Sequence, residues 1–228
     1  KYIIGSHPEI VDQDFDLSSY LQNQTQMLKK IDLDEVLTSD ITNNQGLSSA
    51  KISGEVLGIF LQAKQNLVGM GTSLEKRIIG IGECGLDYYY TQDSRIIHKQ
   101  KELFESQIDL AIKLDIPLFI HTRDAFDDTF EILKSKPGIH GKFAIHCFTG
   151  NKNHLKEVLD MGGKAAFGGI ITFGKNAEYL REAFAYCPKD GYLLETDLPF
   201  LSPKPFRGKD NLPEYIKFVA EKMGQIVS

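Results

Sequence analysis

At 228 residues, 42% hydrophobic and 25% charged, the chain is long enough to bury one sizeable core without a second domain. A net charge of −5 excludes a surface built to coat nucleic acid by general electrostatics, so any phosphate contact must be local or carried by metal. Cys84, Cys147 and Cys187 form no Cys-x-x-Cys pair, which argues against a disulfide framework or zinc knuckle and for a reducing, intracellular compartment, cytoplasmic or nuclear.

No run reaches the roughly 18 apolar residues that suggest a membrane span, and no cleavable signal is visible. The opening "KYIIGSHPEIV" begins inside a strand-like apolar run. Residues 14 to 72 then turn polar, rich in Gln, Asn, Ser, Thr and Asp. With room for one or two short helices but little apolar periodicity, they read as a surface insertion, because the gap is about twice what one crossover needs.

From residue 76 the pattern becomes regular. "RIIGIGE" (77–83), "PLFIH" (117–121), "KFAIHCF" (142–148), "KAAFGGI" (164–170) and "YLLETD" (192–197) read as buried strands. Between them Ile97, Phe104, Ile108 and Ala111 recur at helical spacing, as do Phe126, Phe130 and Leu133, then Leu155, Val158 and Leu159, then Tyr179, Leu180 and Phe184. Asn211 and Pro213 mark the start of a last helix. Strands alternating with helices predict a parallel β/α architecture, either a closed barrel or an open doubly wound sheet.

Four of the strands end in a group able to bind metal: Glu83, His121, His146 and Asp197. In a parallel sheet all carboxyl ends share one rim, so residues distant in sequence meet there. One strand-end histidine is ordinarily structural, but two imidazoles and two carboxylates at four ends suit Zn, Mn or Mg. Strict alternation puts Ile79, Ile81 and Glu83 on one face and turns Cys84 and Cys147 toward the helices as packing residues. Arg123 either holds a phosphate or pairs with Asp124 or Asp127. Lys204, Arg207 and Lys209 form a basic loop that contacts a nucleic-acid backbone or is merely solvated. Glu195 either orients a ligand from behind or pairs in the interior, and Asp87 and Tyr88 shape the rim. His7 reads as structural, and His98, His140 and His154 as surface residues.

"IIGSHPEIV", "GIGECGLDYYY", "PLFIHTRDAFDDTFEIL", "AIHCFTG", "GGIITFGKNAEYL" and "LLETDLPFLSPKPFRGKDN" together resemble the TatD-type metal-dependent deoxyribonucleases, a branch of the amidohydrolase-like barrels. The resemblance implies a TIM-type (β/α)8 barrel that hydrolyses DNA phosphodiesters through a metal-activated water. It implies two divalent ions (Mg, Mn or Zn) bridged by Glu83. His121 and His146 match ligands of one ion, and Asp197 matches the base and ligand at the other. DNA is the implied substrate, and no membrane partner is implied.

The sequence also departs from that family. Its members carry a His-x-His strand that supplies two ligands, and no His-x-His occurs in these 228 residues. By the same resemblance Lys1 falls at the third barrel strand, so the expected barrel is incomplete, with its first two strands absent and one ion site left. The expectation is a single hydrolase domain over 1–228, as a fragment of a longer enzyme or as a degenerate member that acts as a binding protein. A metal-dependent hydrolase of small esters or amides is a further alternative.

Overall fold

A computed structural model describes residues 2–4 and 78–227. His7 and the polar segment 14–72 lie outside the described residues. Among the described residues there are six strands: β1 (Tyr2–Ile4), β2 (Ile78–Asp87), β3 (Leu118–Arg123), β4 (Phe143–Ile145), β5 (Lys164–Phe167) and β6 (Tyr192–Leu194). Between and after them run α1 (Ser94–Leu114), α2 (Phe126–Ser135), α3 (Lys152–Asp160), α4 (Glu178–Tyr186) and α5 (Ile216–Val227). Every helix predicted from periodicity is found, and among the described residues none is long and apolar enough to cross a membrane.

All five pairings among these strands are parallel, and their order is sequential from β1 to β6. A doubly wound sheet reverses its strand order at a switch point. Among the described residues no reversal occurs, so the winding runs in one direction. Among the described residues the ladders end at β1 and β6.

The helices form because each buries one stripe. α1 places Leu103, Phe104, Ile108 and Ala111 inside, is capped by the Asp93 side chain accepting from the Arg95 amide, and stops at left-handed Asp115. α3 opens with a reciprocal cap between Asn151 and His154. Across the layers runs a row of rings, Phe126–Phe148–Phe167–Phe184–Tyr192, with centroids 5.8, 5.6, 5.2 and 5.1 Å apart, all edge-to-face. This row links α2 to β6 and gives the core its continuity.

The strand containing Glu83 does not end there, contrary to the sequence reading. β2 continues to Asp87, and between Ile81↔Leu118 and Cys84↔Ile120 it carries one residue more than β3. The extra residue is a bulge, so strict alternation fails across it. Ile81, Cys84 and Leu86 are all buried in the apolar core. Beyond the bulge Glu83, Gly85 and Asp87 share the opposite face. Gly85 is required: at φ +139°, a Cβ there would lie 1.9 Å from the His121 carbonyl oxygen.

Candidate active site

The bulge explains how one histidine meets two carboxylates. Gly85 is the register partner of His121, and Glu83 and Asp87 flank it on the same face of β2. The His121 imidazole therefore sits between them, with Nδ1 3.0 Å from Glu83 Oε1 and Nε2 3.0 Å from Asp87 Oδ2. Asp87 is only 1% exposed, and Gln100 from α1 grips its backbone, accepting from its N–H at 3.0 Å and donating to its carbonyl at 3.1 Å.

β3 alternates buried and half-buried residues, which puts His121 and Arg123 on the site face. His146 lies one residue past β4, yet its N–H still bonds the Ile120 carbonyl, so the ladder fixes its direction. Its Nδ1 is 2.7 Å from Glu195 Oε2, while its Nε2 lies 3.1 Å from Asp197 Oδ1 and 3.4 Å from Glu83 Oε1. Glu195 also accepts a hydrogen bond from the Cys147 amide. Burial alone would lower the His146 pKa, but the bonds to Asp197 and Glu195 and the charges of Glu195 and Glu83 outweigh it and raise it to about 10.

Asp197 lies three residues past β6, not at the strand end. It adopts the left-handed region at φ 58°, as do Asp124 at 55°, Cys147 at 42° and Leu201 at 53°, and all four line one cavity. Such backbone persists only where surroundings over-determine it. Here the amide of Phe200 bonds the Asp197 carbonyl at 2.8 Å, and Asn211 ties the loop from outside. The Asn211 Nδ2 donates to the carbonyls of Thr196 at 2.5 Å and Phe200 at 2.8 Å. Asn211→Ala leaves both carbonyls without that donor and is expected to cost about 1–3 kcal/mol, read as a lower urea midpoint with an unchanged slope.

The cavity encloses about 1550 Å³ and is lined by Glu83, His121, His146, Asp197 and Arg123 among others. Glu195 does not line it and reaches it through His146, whose Nδ1 faces Glu195 Oε2. Arg123 does not pair with Asp124 or Asp127: its guanidinium lies 3.6 Å from the Tyr89 ring centroid, and it donates to Tyr90 Oη at 3.4 Å. Lys204, Arg207 and Lys209 do not line this cavity. Lys204 opens on a separate one of about 720 Å³ between α4 and α5, and Arg207 stacks on Phe173 at 3.8 Å. Cys84 is a packing residue, but Cys147 lines the cavity, with burial holding its thiol well above the usual range and out of nucleophilic service. His154, read as a surface residue, lines the cavity too, stacked on Phe126 at 4.3 Å.

The donors match a divalent ion in kind. Their arrangement is that of ion pairs: both nitrogens of each imidazole face carboxylates. Among the described residues no group of three or more His, Cys, Asp or Glu side chains is set out to hold a metal ion. A cation entering here would have to displace hydrogen bonds that already satisfy its ligands. The sequence reading put Asp87 on the rim rather than against His121, and left Gln100 and Asn211 out of the site. The bulge hid the first, and a helix-start reading hid the last.

The profile of the TatD-related DNase family matches residues 2–228. Over 154 residues, 68% of this chain and 59% of the relative, it is 42% identical to the metal-dependent hydrolase YabD of Bacillus subtilis (strain 168). Over 149 residues, 65% of this chain and 55% of the relative, it is 42% identical to the metal-dependent hydrolase YcfH of Escherichia coli (strain K12). These alignments span somewhat more than half the length of the two relatives. The crystal structure of YJJV, a TatD homologue from Escherichia coli K12, aligns with a TM-score of 0.69 over 98% of this chain and 68% of that one, at 23% identity. A TatD-family hydrolase from Entamoeba histolytica aligns with a TM-score of 0.62 over 99% and 67%, at 21% identity. At such identities the structures show a shared fold, while the profile runs from β1 through α5: the chain belongs to the TatD-related DNase family.

Proposed function

We propose that the chain is one TatD-type hydrolase domain, of (β/α)8 winding, with half of a hydrolytic site. In this reading Glu83, His121, His146 and Asp197 bind one divalent ion, and hydrolysis of DNA phosphodiesters by these 228 residues alone is impaired. The observation that carries it is the Glu83 carboxylate, one oxygen of which lies 3.0 Å from His121 Nδ1 and 3.4 Å from His146 Nε2.

When bound, a divalent ion would polarise a phosphoryl oxygen and bring the pKa of a water toward neutrality. The chain's own residues supply the rest. Glu195 holds His146 through Nδ1 and Asp87 holds His121 through Nε2, which fixes each ring and the nitrogen it presents. Asp197, its Oδ1 3.1 Å from His146 Nε2, is the base that takes the proton from the attacking water. The 228 residues contain no His-x-His pair, so a second ion would have only the carboxylates of Glu83 and Asp197 to hold it.

Calorimetric titration with Mn²⁺ should give one site per chain, and a single-stranded oligonucleotide should be degraded slowly in its presence. Asp197→Asn should abolish even that slow degradation while the far-UV circular dichroism stays unchanged. Two tight sites with rapid degradation would overturn the half-site reading, and no Mn²⁺ binding at all would overturn the site.

A further inference from the structure

We propose that Tyr89, Tyr90 and Phe200 form a base-stacking rim around the cavity, which seats unpaired nucleobases next to the phosphodiester. This rests on the reading of the cavity as a phosphodiester site. The three rings are unusual for large aromatics in being 58%, 68% and 69% exposed, and all three line the same cavity as Glu83 and Asp197. Exposed aromatic faces beside a deep polar cavity have a use when bases stack on them, because every base offers a π-face.

The rings are held rather than loose. Tyr89 and Tyr90 meet edge-to-face at 4.8 Å, and the Arg123 guanidinium covers one face of Tyr89. Both rings keep more than half of their surface exposed, and the guanidinium sets a cation beside them for a phosphate. The Tyr89 amide donates to Asp87 Oδ1 at 2.9 Å, and the other oxygen of that carboxylate faces His121 Nε2. One buried side chain thus fixes both the rim and a histidine of the site. Phe200 is fixed the same way, because its amide closes the turn on the Asp197 carbonyl and its own carbonyl is held by Asn211.

Size and charge select the occupant. A pocket for one small molecule needs about 300–1,000 Å³, and this cavity holds about 1550 Å³, room for more than one nucleotide. A net charge of −5 provides no general attraction for a polyanion. Local stacking plus Arg123 can do so where bulk charge cannot, and only unpaired bases expose the faces required.

Fluorescence anisotropy of a labelled oligo(dT) in EDTA tests this without any metal or turnover, so failure of the catalytic reading leaves the result intact. Tyr89→Ala and Phe200→Ala should each weaken binding about tenfold or more, with the slope of affinity against salt unchanged. Tyr89→Phe and Phe200→Trp should keep it, because the π-face remains. Arg123→Gln should instead flatten the salt slope by about one phosphate contact. An abasic strand of equal length should bind all aromatic variants alike. If wild type does not bind oligo(dT), or if the alanine variants bind it as wild type does, the rim has no such role.

Discussion

Phe167→Ala is expected to cost about 3–5 kcal/mol, the usual range for deleting a buried aromatic ring. Phe167 has no exposed surface and stands in the middle of the aromatic row, with Phe148 at 5.6 Å on one side and Phe184 at 5.2 Å on the other. Its loss leaves a cavity between the rings of Phe148 and Phe184. Against a total stability of about 5–15 kcal/mol this is a large share, and a fall in Tm on the order of 10 °C should follow. Phe167→Leu should recover most of it. The damage should also reach the site, because the Phe167 carbonyl accepts the ladder bond from the Glu195 amide at 3.1 Å, and Glu195 orients His146. Thermal unfolding by circular dichroism checks the ranking; an alanine variant within about 1 kcal/mol of wild type, well below the usual aromatic cost, would show that the row does not carry the core.

The helices and the parallel alternation were legible in the sequence because both rest on apolar period, a property that burial writes into every residue of an element. The proximity of Glu83, His121, His146 and Asp197 was legible for a related reason: parallel strands share one rim, so residues near their carboxyl ends come together. What was not legible depends on single backbone events. One extra residue in β2 moves Asp87 from an expected rim position to full burial against His121, and no propensity scale marks that insertion. Asn211 looked like an ordinary helix cap, yet the helical turn after it starts at Pro213, and its amide reaches back across the chain to the Asp197 loop. Basic residues were the least legible. Lys204, Arg207 and Lys209 share a loop with the site in sequence, but none of them lines the cavity, and charge alone does not say which way a loop faces.

Glu83→Gln is expected to lower Mn²⁺ affinity about 100-fold, equivalent to roughly 2.7 kcal/mol, while the melting temperature stays near that of wild type. The amide keeps the volume of the carboxylate and can still accept from an imidazole, so the packing around the bulge has no reason to change. What it loses is the charge that two imidazoles face, one from β3 at 3.0 Å and one from just past β4 at 3.4 Å. A neutral oxygen cannot compensate a dication, and the remaining carboxylate beside His146 Nε2, that of Asp197, lies on a separate loop. Glu195→Gln offers the comparison, because Glu195 faces the far nitrogen of His146 and acts on a cation only through that ring. Its effect should be the smaller, nearer tenfold, at the low end of the 10–100-fold range for residues that orient a metal ligand. Calorimetry on the three proteins gives the order directly. Equal affinity in wild type and Glu83→Gln would mean that the four side chains are a structural ion-pair cluster and that the cation binds elsewhere.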